Sequence, residues 1–367
     1  MEPIKIPFDI SILSPFHIGT GDEVDPLSMV FRNDRAYRLQ QLEYIRYLLQ
    51  AHKAELERVM ASQDIKAMHR FFHQHFDPEM KNTWSFSYPV TTQVAADYVT
   101  KMNEASNQGL IKAFIRSQVS LQPFIPGSSI KGSVRTAILS SLNGNGRDWN
   151  SFDKHADQNH QARLLKYFKN DTGKADITLD PFKFIKFADI PFSNDWISVR
   201  KVEVINPPAE KPRDPGLRHQ LQGGRPLKEE AIPVYMELGL SAKETRTLSS
   251  ELSILITDNN NQGIMSILPK GKDSLPEFIK MIKDYYQGQF AKEENIYNRF
   301  LNGKAVYDVL KAHFQAIEAK KNECMIRIGY GSGQNYCTYA SMNYAPKSRK
   351  MVSHLPLGWF KLSFRLS

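Results

Sequence analysis

Two hydroxyl groups and two cations lie close together in one short stretch of the chain and could bind an anion. They belong to Ser128, Ser129, Lys131 and Arg135. Lys131 and Arg135 stand four residues apart, so on a helix they share one face near its start. Free backbone N–H groups at a helix N-terminus add donors for a phosphate. The stretch therefore predicts an anion site, with a solvated helix that has an ordinary serine cap as the alternative.

A helix must hold these side chains in place. Pro126 and Gly127 interrupt the segment before it, and Ser128 and Ser129 are favourable N-cap residues. The backbone of Gly127 is included in the predicted anion site because it lies at the helix start. Apolar residues then recur at helical spacing and predict one buried face. They are Ile130, Val134, Ile138 and Leu142.

A glycine-rich loop follows the first predicted strand. Alternating apolar residues predict that strand over residues 4–12, and the loop after it contains His17, Gly19 and Gly21. Glycine has no Cβ, so the backbone here could approach a ligand closely. His17 is a candidate general base, but a packing or hydrogen-bonding role is favoured because no partner lies near it in the sequence.

A second glycine-rich loop spans residues 329–333 and contains Gly329, Tyr330, Gly331 and Gly333. Its spacing fits neither the phosphate loop Gly-x-x-x-x-Gly-Lys-Ser/Thr nor the dinucleotide-binding fingerprint. What remains is a loop whose N–H groups could reach a phosphate, with Tyr330 and Tyr336 available to stack on bases. No cofactor is predicted.

Helical spacing over residues 41–76, broken near Ser62, predicts a pair of helices. The second of them contains His69, His73 and His75. The first two histidines stand one turn apart, as metal ligands could. However, the glutamate that follows the first histidine in zinc peptidase helices is absent. We interpret the cluster as a polar helix face, and no metal site is predicted.

The segment over residues 206–228 contains five prolines and three glycines and is strongly basic. A stretch this polar cannot bury enough apolar surface to order itself. Because a predicted strand resumes at Ile232, we expect a long hairpin with a basic tip. Its Arg213, Arg218 and Arg225 could bind a nucleic-acid backbone. A plain linker between domains is the alternative.

The charge and composition of the whole chain indicate the class of partner. A formal net charge of +9 over 367 residues argues for a polyanion, most commonly nucleic acid. The two cysteines, Cys324 and Cys337, are too few for a disulfide framework or a thiolate zinc site. No signal peptide and no apolar run long enough to cross a bilayer is present. A cytoplasmic protein without membrane contacts is therefore expected.

Taken in their order, these motifs resemble the RAMP superfamily of CRISPR-associated RNA-binding proteins. They are Pro-Phe-His-Ile-Gly-Thr-Gly at 15–21, Ile-Pro-Gly-Ser-Ser-Ile-Lys-Gly-Ser-Val-Arg at 125–135, the basic segment and the late glycine-rich loop. The length, the helical insertion after the first strand and the closing Leu-Gly-Trp-Phe-Lys-Leu at 357–362 add a finer likeness. They are similar to the subunit that caps the crRNA 3′ end in Csm-type (type III-A) effector complexes.

The resemblance implies an α+β fold with two ferredoxin-like, RRM-related modules. The first is expected over residues 1–240, with a helical insertion over about 41–110 and a long basic β-hairpin tipped by 206–228. The second is expected over 241–367 and contains the late glycine-rich loop.

The resemblance also implies a function. The expected protein is a non-catalytic subunit that binds and caps the 3′ region of crRNA and supports crRNA maturation in antiviral defence. Its expected partners are crRNA and other RAMP subunits, and a host trimming nuclease is left open as a further one. The anion site and both glycine-rich loops would hold RNA, and the arginines of the basic segment would grip RNA or a neighbouring subunit. The alternative is a metal-independent endoribonuclease that processes crRNA with His17 as its base.

Overall fold

The chain forms a mixed α+β fold, which confirms the predicted class. The computed structural model describes residues 3–102, 110–144, 154–169, 173–205, 234–240, 246–255, 268–269, 272–297, 303–331, 349–352 and 355–366. The helices in these residues are α1 (Gln41–Ala51), α2 (Lys53–Ala61), α3 (Ile65–His75), α4 (Thr92–Met102), α5 (Gly127–Leu142), α6 (Lys154–Leu165), α7 (Leu275–Tyr297) and α8 (Gly303–Ile317). The strands are β1 (Ile4–Ile12), β2 (Gly19–Val24), β3 (Met29–Arg32), β4 (Arg35–Leu39), β5 (Trp84–Pro89), β6 (Ile111–Phe114), β7 (Phe124–Ile125), β8 (Ile185–Phe187), β9 (Ile190–Pro191), β10 (Ile197–Ile205), β11 (Val234–Gly239), β12 (Arg246–Ile254), β13 (Glu323–Arg327), β14 (Arg349–Val352), β15 (Leu355–Pro356) and β16 (Trp359–Phe364).

The first strand, β1, lies at the centre of a five-stranded antiparallel sheet with the order β13-β16-β1-β12-β8. Its predicted alternation is confirmed, because Ile6, Phe8 and Ile10 are fully buried while Lys5 is exposed. It pairs with β12 over its whole length and with β16 from Phe8 to its end. The start of the chain therefore completes a sheet whose other central strands come from its C-terminal part.

The helices α5, α7 and α8 pack against this sheet, and α7 contacts both of the others. Ile130, Val134 and Ile138 of α5 are fully buried, as their spacing predicts. Leu142 was expected on the same face but is 37% exposed, because it is the last residue of the helix. A hydrogen bond of 2.5 Å between the hydroxyls of Ser133 and Tyr286 joins α5 to α7.

The helix α5 begins at Gly127, before both of the predicted cap residues. Its N-cap residue is Pro126, and no side chain caps the first turn. The prediction that Ser128 or Ser129 caps the helix is therefore wrong, and both residues lie inside its first turn. Proline suits this position because its ring pre-sets an extended φ and it has no N–H to satisfy.

A six-stranded sheet has the order β15-β14-β10-β11-β6-β2, in which β6 and β11 run parallel. Phe16 links it to the first sheet just after β1. The backbone of Phe16 exchanges two hydrogen bonds, of 2.9 and 2.8 Å, with Gly239 at the end of β11. Its ring lies 4.8 Å from that of Phe360 in the first sheet and 5.5 Å from that of Phe114 in the second. The path of the loop after β1 is fixed by these contacts.

The helical insertion has its own apolar core. The prediction of two helices is wrong, since α1, α2 and α3 occupy this region and an additional break lies at His52. The three-stranded sheet β3-β4-β5 lies beside them. Side chains on one of its faces pack in the core of the insertion, and those on the other face pack in the main core. Val30 and Tyr37 pack with the helices, whereas Met29 and Tyr88 pack in the main core.

The structure does not test the predicted basic hairpin or the predicted division into two modules. The basic segment 206–228 lies outside the described residues. The five-stranded sheet combines strands from before and after residue 240, and the predicted division into two modules remains a prediction. Among the described residues, no helix is both long and apolar enough to span a membrane.

We expect Ile10→Ala to lower the free energy of unfolding by about 2–5 kcal/mol, because it leaves a cavity in the central strand of the main sheet. Lys5→Ala is the matched control on the same strand, since its exposed side chain makes only a surface ion pair with Glu251. That variant should stay within about 0.5 kcal/mol of the unchanged protein. Urea denaturation of the two variants measures the difference, and equal midpoints would contradict the central position of β1.

Candidate functional site

A cavity of about 420 Å³ opens where the two glycine-rich loops meet. The structure thus brings together two loops that are more than 300 residues apart in the chain. Their glycines, an imidazole, a phenol, one ammonium group and one carboxylate surround it. The lining residues are His17, Ile18, Gly19, Gly21, Asp22, Lys112, Gly329 and Tyr330.

The loops are joined through their backbones. The N–H of Tyr330 donates a hydrogen bond of 2.7 Å to the carbonyl oxygen of His17. Gly329 has a φ of +85°, and any Cβ at this position would overlap that same carbonyl oxygen. Only glycine combines this backbone conformation with so close an approach. Gly329 therefore brings Tyr330 to the cavity wall.

His17 is held in one orientation at the wall of the cavity. Its Nδ1 lies 2.8 Å from the carbonyl oxygen of Glu237. A carbonyl can only accept, so Nδ1 donates and Nε2 keeps its lone pair. Nε2 faces Gly19, where a Cβ would stand only 2.6 Å away. The side chain is almost completely buried, at 3% exposure, and this burial lowers the pKa of His17 below its ordinary value. The ring is therefore neutral at pH 7.

The carboxylate of Glu237 organises the wall around His17 although it is only 1% exposed. It accepts hydrogen bonds from the Tyr88 hydroxyl at 2.7 Å, the Phe114 backbone N–H at 2.8 Å and the Arg116 guanidinium at 2.5 Å. These donors come from β5, β6 and the residues just after β6. A buried carboxylate needs such partners because an unpaired charge in the interior is costly. Burial raises the pKa of Tyr88 well above its ordinary value, so Tyr88 stays a donor.

Lys112 is the cation that lines the cavity, and sequence reasoning missed it. It lies on β6 opposite Glu23 of β2, with its Nζ 3.6 Å from Glu23 Oε1. Both side chains are partly exposed, so the pair is screened by water and can open for a stronger anion. Lys112 and Tyr330 both line the cavity, as does the carboxylate of Asp22.

The predicted anion site at the start of α5 is already occupied by groups of the chain itself. The N–H of Gly127 donates to Asp189 Oδ1 at 2.7 Å. Arg135 forms an ion pair of 2.8 Å with Asp180 and lies over the ring of Phe182. The expectation of free donors is therefore wrong for Gly127 and Arg135, because Asp189 and Asp180, which follow α6 in the chain, bind them.

Other predicted residues are not brought to the cavity. Ser128 is exposed, while Ser129 and Lys131 are half-buried, and none of the three lines the cavity. Partial burial lowers the pKa of Lys131, and Asp180 opposes this effect. Gly331 follows Tyr330 and packs against Lys350. The remaining predicted residues lie outside the described part of the chain, namely Arg213, Arg218, Arg225 and Gly333.

The interpretation of the histidines as a polar helix face is wrong for His69, which is 4% exposed. Its ring centroid lies 4.2 Å from that of His73. Burial lowers the pKa of His69 to about 4 and that of His73 to about 3. His75, at the end of α3, instead lies against Glu55 and His52.

Comparison with known proteins gives the family and the fold. The sequence profile of the RAMP superfamily matches residues 9–335. No curated protein matches the sequence. One similar solved structure is a chain of the Csm–crRNA–target RNA ternary complex of a type III-A CRISPR–Cas system, with 17% identity, a TM-score of 0.60 and 100% of both chains covered. Another is T. onnurineus Csm5, with 17% identity, a TM-score of 0.59 and 96% of this chain and 99% of that chain covered. At this identity the likeness shows a shared fold.

We expect Gly329→Ala to lower the free energy of unfolding by about 1–3 kcal/mol, because the methyl group would be strained at positive φ and would overlap the carbonyl of His17. Gly132→Ala is the control, since it places a methyl group in open space on α5. That change should stabilise the protein by about 0.5–1 kcal/mol. Denaturant titration measures both values, and a neutral Gly329→Ala would show that the loops are not joined here.

Proposed function

Because the chain belongs to the RAMP superfamily, we propose that it is a crRNA-binding subunit of a type III-A (Csm) effector complex. In this role it binds and caps the 3′ region of crRNA and supports crRNA maturation in antiviral defence, without cutting RNA itself. Its partners are crRNA and other RAMP subunits of the complex, and a host trimming nuclease is a further candidate. The observation that carries the proposal is the cavity in which the two glycine-rich loops meet.

The cavity has the features that a single-stranded RNA contact needs. Its volume of about 420 Å³ lies within the range of small-ligand sites. Glycines admit a backbone closely, Lys112 supplies a positive charge, and the phenol ring of Tyr330 offers a surface on which a base can stack. The formal net charge of +9 favours a polyanion over the whole surface.

The choice of complex is supported by the similar structures. One is a chain from a complex that contains crRNA and target RNA, and the other is a Csm5. The finer architecture in this proposal has two ferredoxin-like modules, the first with the helical insertion and the long basic hairpin. An antiparallel sheet with α5 and α7 packed against it is compatible with such a module.

The start of α5 remains a second proposed RNA contact, in a narrower form. Gly127 and Arg135 bind carboxylates of the chain. Ser128, Ser129 and Lys131 retain enough exposure to meet a phosphate. Because this surface lies apart from the cavity lining, it would contact a different nucleotide.

The endoribonuclease alternative is favoured by one observation. Neutral His17 keeps its Nε2 lone pair beside the cavity, where it could take a proton from a 2′-hydroxyl. Cleavage also needs a proton donor for the leaving group. Lys112 is the cation lining the cavity and is paired with Glu23, so it is better suited to bind a phosphate. We therefore keep RNA binding as the primary function.

We expect Lys112→Ala to weaken RNA binding about fivefold, because one charge-assisted contact is lost. The slope of log affinity against log salt should fall by about 0.7, the value for one phosphate contact on a single strand. Glu23→Gln should have the opposite effect on affinity, since it frees Lys112 from its ion pair. Lys5→Ala, outside the cavity, is the control. Filter binding over a salt series measures all four proteins, and an unchanged affinity in Lys112→Ala would exclude the cavity as an RNA site.

A second experiment separates binding from cleavage. His17→Gln removes the imidazole but keeps an amide that can donate to the Glu237 carbonyl. We expect co-purifying crRNAs of unchanged length and quantity, together with other RAMP subunits, whereas Lys112→Ala should reduce the bound crRNA. Longer, unprocessed RNA bound to His17→Gln would instead establish the endoribonuclease.

A further inference from the structure

Three potential metal ligands converge in the helical insertion, away from the cavity. They are His52, Glu55 and His75, and their ligand atoms all lie within 4.8 Å of one another. We propose that these three side chains bind one divalent transition-metal ion of the zinc class. The site is independent of RNA binding and would join the α1–α2 junction to the end of α3.

The local fold explains why these residues meet. His52 is the single residue between α1 and α2, where it ends one helix and precedes the next. Glu55 lies in the first turn of α2, and His75 is the last residue of α3. The apolar side chains of Leu48, Leu56 and Phe71 pack into one core that holds the three helices together. The ligands are therefore positioned by packing before any ion binds.

The distances suit a tetrahedral ion. His75 Nε2 lies 3.3 Å from Glu55 Oε2. Two ligands at zinc–ligand distances of about 2.0–2.1 Å, arranged tetrahedrally, are separated by about 3.3 Å. The ligand atom of His52 lies within 4.8 Å of those of Glu55 and His75. Its ring centroid is 3.9 Å from that of His75, closer than two imidazoles on one tetrahedral ion, so the His52 ring must turn away from His75 to complete the set.

A second observation points to a missing ligand at the same place. His75 Nε2 is shielded from solvent, yet it makes no hydrogen bond with any described residue. Its contact with Glu55 has the distance of an ion pair but not the geometry of a hydrogen bond. Buried polar atoms are nearly always satisfied, so an unsatisfied nitrogen needs an explanation. An ion between His75 and Glu55 would satisfy it.

The donor set selects the class of metal. Two imidazoles and one carboxylate suit zinc and its neighbours, whereas magnesium and calcium prefer oxygen ligands alone. The Glu55 side chain is 43% exposed, which gives an ion access from solvent and leaves a coordination position for water. The buried pair His69 and His73 is less suited, because no third ligand joins it within the described residues.

The test measures zinc bound to the purified full-length protein by elemental analysis and by competition with a chromophoric chelator. We expect one zinc ion per chain. His52→Asn and His75→Asn should each weaken zinc binding by more than about tenfold, since even residues that only support a ligand contribute that much. Glu55→Gln should also weaken it. The matched controls His313→Asn and Glu57→Gln should bind zinc like the unchanged protein.

Two further measurements keep the result unambiguous. Cobalt substituted at the site should give the visible absorption of a tetrahedral ion, and zinc should raise the melting temperature of the unchanged protein but not of Glu55→Gln. If a histidine variant does not fold, Glu55→Gln decides, because Glu55 lies at the surface of the cluster. Absence of stoichiometric zinc, or equal affinity in the ligand variants, would overturn the site. Loss of zinc only in His69→Asn would assign the ion to the other pair and equally overturn it.

Discussion

The buried carboxylate of Glu237 is the interaction on which the candidate site depends. Its side chain accepts hydrogen bonds from Tyr88, the Phe114 backbone and Arg116, while its own backbone carbonyl orients His17. One residue of β11 thus fixes β5, β6 and the loop after β1 at the same time. A charge with almost no exposure is stable only if every donor around it is present, since removal of one partner leaves an uncompensated charge or an unsatisfied group. These hydrogen bonds hold together the strands that lie around His17.

In this site the backbone groups join the two loops, and the side chains remain to contact a ligand. The two loops meet through the carbonyl of His17 and the N–H of Tyr330, and Gly329 makes that approach sterically possible. Such a junction leaves side chains on both loops available for a ligand. It also explains why glycines are frequent in a site without a nucleotide motif, because they bring the two loop backbones together. The positive charge comes from Lys112 on a neighbouring strand. Under the proposed function, the affinity for RNA depends on the few charges at the cavity and on the net charge of the whole surface.

Local patterns predicted the parts of the fold that are determined locally. The alternation of Ile6, Phe8 and Ile10 predicted β1, and the glycine-rich loops were recognised from their composition. Lys112 and Glu237 could not be found in this way, because their roles arise from pairing between distant segments. Lys112 lies 89 residues from Glu23, and Glu237 lies 123 residues from Phe114. At the start of α5, by contrast, the sequence predicted a site whose donors are partly used within the protein. Its cations and hydroxyls were correctly placed on a helix, but the carboxylates of Asp180 and Asp189, which occupy two of the donors, come from later in the chain. A sequence shows which groups can bind an anion, but only the tertiary structure shows whether a carboxylate of the protein itself already binds them.

The helical insertion shows how burial assigns different roles to residues of one type. His69 packs in the interior, where burial lowers its pKa to about 4, so it behaves as a neutral ring. His75, on the same helix, reaches a carboxylate and a second imidazole at the edge of a separate core. That core touches the rest of the protein through the β3-β4-β5 sheet, whose other face carries Tyr88 and so the hydrogen bond to Glu237. An ion at His75 would therefore stabilise the insertion directly and would affect the cavity only indirectly, through this sheet and through the contact of His69 on α3 with Tyr98 of the main core. Stability of the insertion and affinity of the cavity should vary independently unless the sheet itself is displaced.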